Sequence, residues 1–108
     1  MTGSATISPE ARVITLINSF TVRQQDQDAL VELLERATDD VMRHRPGFVS
    51  ASIHRGLDGT SVANYAQWAS RADFEAMLAD PVAQQHMGEA AALATFVPVL
   101  YEVASVHR

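Results

Sequence analysis

At Arg45-Pro46-Gly47 the hydrophobic period of the chain changes, and that change restricts the fold more than any other feature. Upstream, from Asp28 onward, Leu30, Leu33, Leu34, Ala37 and Val41 recur at the spacing that gives a helix one apolar side. Proline has no amide hydrogen to donate and glycine favours leaving the helical region, so the helix ends there. Downstream, Phe48 to Arg55 (FVSASIHR) has the composition of a strand. Gly56-Leu57-Asp58-Gly59 follows as a turn whose Asp-Gly ending suits a hairpin, and Ser61 to Trp68 returns as the antiparallel neighbour.

The flanking segments complete the order. Val13 to Val22 (VITLINSFTV) is rich in β-branched residues and reads as a first strand, with a polar turn at Gln24 to Gln27. Ser70 is placed to cap a helix in which Phe74, Met77 and Leu78 form one apolar side, and Pro81 restarts it. After the alanine-rich stretch from Gln84 to Ala94, Phe96 to Val106 reads as a last strand, which Pro98 frays at its start or confines to an edge. Strand, helix, strand, strand, helix, strand is the ferredoxin-like split β-α-β arrangement of α+β folds, with an antiparallel sheet and helices on one face. The other face, assigned Tyr65, Gln67, Val49 and Ile53, is apolar enough to need cover. A second copy closing a dimeric α+β barrel is the expected cover, so the chain is expected to be a homodimer.

Composition narrows the function classes. The chain has 108 residues, of which 47% are hydrophobic, enough for a single domain over 13–108 after a flexible N-terminal arm at 1–12 rich in Ser, Thr, Gly and Pro. Thirteen acidic against eight basic residues give a net charge of −5 without a basic stripe, which argues against nucleic acid as a partner. Cysteine is absent, removing disulfides and thiolate chemistry and fitting a reducing compartment. No apolar run approaches the roughly 18 residues of a membrane span, and the opening residues lack a secretory pattern, so a cytoplasmic protein is expected.

Within the strands, three side chains stand out. Side chains alternate across a strand, so Asn64, Ala66 and Trp68 share one face, and Asn18 shares one with Ile14, Leu16 and Phe20. Two amides and an indole thus lie on apolar surfaces. A buried amide without a partner costs about 1–3 kcal/mol, so each must be satisfied internally or by a guest. His54 is assigned to the face of Phe48, Ser50 and Ser52, where it is either a base or a strand-end residue. Asp39 and Asp40 are adjacent on a helix, point apart and form no catalytic pair, while His44 and His107 read as surface residues. No Ser-His-Asp set, phosphate loop or metal-ligand spacing appears.

The block PGFVSASIHRGLDGTSVANYAQWASRADFEAML, with the first-strand VITLINSFTV, resembles the antibiotic biosynthesis monooxygenase family from Val13 to about Val106. Within that family the chain is most similar to the small quinone-forming monooxygenases of aromatic polyketide pathways. The resemblance implies oxidation of an anthrone-like carbon by dioxygen without metal, flavin or haem, in an enzyme with an aromatic polyketide-like substrate. It places catalytic roles on Asn18, Asn64 and Trp68. Phe20, Ala66, Phe74, Met77, Leu78, His54 and His86 are the candidate substrate-binding wall. Some members carry a Tyr where this chain has Phe74, and an Arg further along that has no counterpart here.

Two other readings share the fold. His86 stands at a position resembling the proximal ligand of haem-degrading relatives, although an ordinary solvent-facing helix histidine is the stronger reading. The same pocket could also serve a ligand-binding module that leaves an aromatic guest unchanged.

Overall fold

The computed structural model describes residues 13–108, and the expected arm at 1–12 lies outside them. Four strands, β1 (Ile14–Val22), β2 (Phe48–Arg55), β3 (Ser61–Trp68) and β4 (Ala94–Tyr101), form one antiparallel sheet in the order β2-β3-β1-β4. The helices are α1 (Gln27–Asp40), α2 (Arg71–Leu78) and α3 (Pro81–Leu93). Strand and helix order match the α+β, ferredoxin-like expectation, with the second helical segment divided in two.

Local chemistry explains the boundaries. A 3-10 turn at Met42–His44 carries the chain out of α1, and Gly47 then takes a φ of 83°, a left-handed value that favours glycine. A Cβ at Gly47 would also collide with the Asp73 side chain, while its carbonyl accepts from Ala69 N–H at 2.7 Å and joins the start of β2 to the end of β3. Ser70 Oγ accepts from Asp73 N–H at 3.1 Å, so the expected cap is made. Asp80 caps α3 in turn, accepting from Val82 N–H at 2.8 Å, and Pro81 fills the first helical position, where no amide hydrogen is needed. The alanine-rich stretch is thus the body of α3. It runs to Leu93, and β4 begins two residues before the expected Phe96 and ends at Tyr101.

Even-numbered residues of β1, β3 and β4 face the helices. Their apolar members divide into two clusters, one gathering Leu16, Ala66 and Trp68 with Phe74, Met77 and Ala83, the other Phe20, Val22 and Val62 with Leu30, Val31 and Ala90. Thr15 and Gln67 occupy the opposite face, as do Val97, Val99 and Tyr101, which are exposed.

The structure corrects one strand assignment. A register shift between Phe48 and Ser50 puts Phe48 opposite Trp68 but Ser50 opposite Gln67, so the strand changes parity. Ala51 and Ile53 then pair with Ala66 and Asn64 and face the helices, whereas His54, opposite Ala63, is turned to the other face. Ile53 therefore belongs to the core rather than the outer face, and His54 does not share a face with Phe48.

Candidate active site

Asn18 and Asn64 are directly paired across β1 and β3. On one side of this pair stands Leu16 opposite Ala66, on the other Phe20 opposite Val62, and these flanking pairs belong to the two separate core clusters. The amides thus mark the gap between the clusters. At that gap, between the sheet and the helices, lies a cavity of about 320 Å³. This is within the range of small-molecule pockets, and its lining is predominantly apolar.

The strands supply Leu16, Asn18, Phe20, Asn64, Ala66 and Trp68 to the floor. Phe74, Met77 and Leu78 come from α2, His86 and Met87 from α3. Asn18, Asn64 and Trp68, together with Phe20, Ala66, Phe74, Met77, Leu78 and His86, therefore gather around one space. His54 is not among the lining residues, because the β2 bulge turns it away. His86 faces inward rather than to solvent, its side chain being 18% exposed.

Buried polar atoms without partners recur along the wall of this cavity. Asn18 Oδ1, Asn64 Oδ1, Trp68 Nε1 and His86 Nδ1 are all buried and have no hydrogen-bond partner. Thr15 Oγ1, Arg45 Nε and Gln67 Nε2 share that condition away from the cavity, and His86 Nδ1 lies 3.4 Å from Glu89 Oε1, but Asn18 Oδ1, Asn64 Oδ1 and Trp68 Nε1 belong to side chains around one hollow, the arrangement of a recognition surface. The two amide oxygens need donors; the indole nitrogen needs an acceptor.

Trp68 is 1% exposed and held rigidly. Phe48 meets its ring nearly perpendicular at a centroid distance of 5.6 Å, and Phe74 does so at 6.2 Å and 69°. Both are edge-to-face contacts, which favour the aromatic quadrupoles and fix the ring plane. Phe74 thus braces the indole. With its ring packed in this way, Trp68 keeps an unpartnered Nε1–H rather than an open stacking face.

The strand-spacing argument did not reach Phe96, Pro98 and Leu100, which also line the cavity. Their signal was present: they alternate along β4, and Pro98 lies opposite Asn18. Thr38, from α1, also lines the cavity, but its hydroxyl donates to the Leu34 carbonyl at 2.8 Å. Among the described residues, no group of three His, Cys, Asp or Glu is placed to hold a metal ion.

The sequence model for antibiotic biosynthesis monooxygenases matches residues 13–89. Tetracenomycin-F1 monooxygenase of Streptomyces glaucescens is 46% identical over 99 residues, covering 92% of this chain and 88% of that protein. The crystal structure of SnoaB, a cofactor-independent oxygenase from Streptomyces nogalater, is similar with a TM-score of 0.77 at 27% identity, over 89% of this chain and 97% of that one. The monooxygenase from ActVA-Orf6 of Streptomyces coelicolor, in complex with nanaomycin D, gives a TM-score of 0.80 at 28% identity, over 94% and 95% of the two chains. Sequence and fold agree, and the chain belongs to the antibiotic biosynthesis monooxygenase family.

Proposed function

We propose that this protein is a cofactor-independent monooxygenase that converts an anthrone-like ring of a polycyclic aromatic polyketide to a quinone with dioxygen. The observation that carries the reading is the set of unpartnered polar atoms, Asn18 Oδ1, Asn64 Oδ1 and Trp68 Nε1, around one apolar cavity. The named activity of the 46% identical relative supports it.

The chemistry follows from the substrate's electronics. A carbon between two aromatic rings and para to a ketone is acidic, and its conjugate enolate is electron-rich enough to give one electron to dioxygen. The two radicals combine to a peroxide; loss of water leaves a carbonyl. The protein supplies a dry cavity and fixed dipoles directed at developing charge. Phenolic hydroxyls of the guest donate to Asn18 and Asn64 Oδ1, which orients the ring. Amide N–H groups and Trp68 Nε1–H stabilise the oxygen that becomes negative.

The test is oxygen uptake with dithranol in chelator-treated buffer, followed by mass spectrometry. The expected product is heavier by one oxygen and lighter by two hydrogens, with the new oxygen derived from ¹⁸O₂. Binding of dithranol with no such product would leave a ligand-binding module and defeat the enzymatic reading.

The working form is proposed to be a homodimer. Val97 is 64% exposed, Val99 40% and Tyr101 46%, all on the sheet face away from the helices, and an apolar sheet face of this kind favours a partner. Val97→Glu combined with Val99→Glu places charges there and is expected to give monomers in sedimentation-velocity runs, against dimers for the unmodified chain. Identical sedimentation of the two would rule out this face. No described helix is long and apolar enough to cross a membrane.

A further inference from the structure

Breaking a C–H bond requires a proton acceptor, and a predominantly apolar cavity wall offers few of them. Among the described residues lining the cavity, His86 is the single ionisable side chain; the rest are apolar apart from Asn18, Asn64, Thr38 and the Trp68 indole. An amide is far too weak a base for this step, and the Thr38 hydroxyl already donates to a carbonyl.

The placement of His86 on α3 adds a second reason. Its Nδ1 is buried without a hydrogen-bond partner, and Glu89 Oε1, one helical turn on, lies 3.4 Å away. At that separation the two groups stand within ion-pair distance without making a hydrogen bond. Catalytic hydrogen bonds are often long before the substrate is present. With Nδ1–H turned to a carboxylate, Nε2 is the nitrogen left to receive a proton. Glu89 is half exposed, so its carboxylate keeps its hydration while standing beside the inner histidine.

We propose that His86 is the base of this reaction and that Glu89 is its positioning residue, an inference that rests on the anthrone-oxidising reading above. The substrate C–H bond breaks, its electron pair enters the ring system as the enolate, and the proton passes to His86 Nε2. Glu89 offsets the imidazolium charge through Nδ1–H. Once the enolate has combined with dioxygen, the imidazolium protonates the terminal peroxide oxygen. The neutral ring then takes the second proton from the same carbon. The C–H pair forms the carbonyl, the O–O bond breaks, and the departing hydroxide recovers the proton as water. Dioxygen is the oxidant, and His86 ends as it began.

The experiment separates binding from chemistry. Trp68 is the only tryptophan in the chain, so quenching of its fluorescence by 1,8-dihydroxyanthraquinone, which cannot be oxidised further at that carbon, reports occupancy directly. His86→Ala is expected to lower kcat with dithranol about 10²-fold, and added imidazole to restore part of the rate. Quinone affinity should stay within about twofold, the pattern of an interaction made in the transition state. Dithranol deuterated at the reacting carbon should react more slowly in this variant, because C–H cleavage now limits the rate. Glu89→Leu should lower kcat more than Glu89→Gln, which keeps an acceptor oxygen. Unchanged kcat in His86→Ala overturns the assignment and leaves the oxidation reading standing. Loss of quinone binding in that variant, without recovery by imidazole, overturns it in favour of a packing role. Absence of oxygen uptake by the unmodified protein overturns both.

Discussion

Asn64→Ala is expected to lower kcat for anthrone oxidation by about 10²–10³-fold, the usual cost of losing one preorganised dipole at a site of developing charge. Thermal stability should hardly move. Asn64 Oδ1 is buried without a partner, so truncation breaks no internal hydrogen bond at that atom and removes a desolvated group that is unfavourable in the empty protein. A structural amide would show the reverse pattern, a lower melting temperature with activity falling only in proportion to folded protein. Oxygen-electrode kinetics and a thermal melt on the same preparation tell the two apart. A retained kcat with a fall in Tm would remove Asn64 from the site. This dissociation between function and stability is what an atom reserved for a guest predicts.

Leu30→Ala is expected to cost about 2–5 kcal/mol of folding stability, measured by urea unfolding with both baselines resolved. Leu30 is 0% exposed and lies in the cluster with Phe20, Val22 and Val62, where α1 meets the sheet. The loss combines the transfer energy of the removed methyl groups with a cavity that the sheet and α3 cannot collapse into freely. Domains of this size have about 5–15 kcal/mol in total, so the variant approaches the folding threshold. A change under about 1 kcal/mol would show that the cluster repacks and that α1 is not anchored there.

The two predictions address opposite uses of one architecture. At Leu30 the helices press onto the sheet and fill the space. At the Asn18–Asn64 row they part, between the cluster around Trp68 and the cluster around Phe20. Emptiness there is tolerable because the walls on either side are close-packed, with Phe48 and Phe74 fixing the indole and the Phe20–Phe96 contact, at 5.2 Å, bracing the other end.

Much of this was legible in local pattern. The strands β1, β2 and β3, the start of α1, the Ser70 cap and the Pro81 restart all follow from periodicity and from residues with one strong backbone preference, and such signals act over a few neighbours; α1 itself stops at Asp40, short of Arg45-Pro46-Gly47, where the 3-10 turn takes over. Alternation alone was also enough to put Asn64, Ala66 and Trp68 on one face. The pairing of Asn18 with Asn64 is different in kind, because register is set between strands that are distant in sequence.

The bulge at Phe48 and Ser50 arises from that same long-range pairing. It inverted the faces of Ile53 and His54, which simple counting had misassigned, and carried His54 away from the cavity. A helix histidine outside any motif likewise reads as solvent-facing, while the packing of α3 over the sheet turns His86 inward beside Glu89. Alternation and backbone preference are short-range, so they decide what each segment becomes and which side chains travel together. Only the way sheet and helices close on one another, a matter of register and packing between remote parts of the chain, decides which buried polar atoms lose their partners and where a hollow remains beside them.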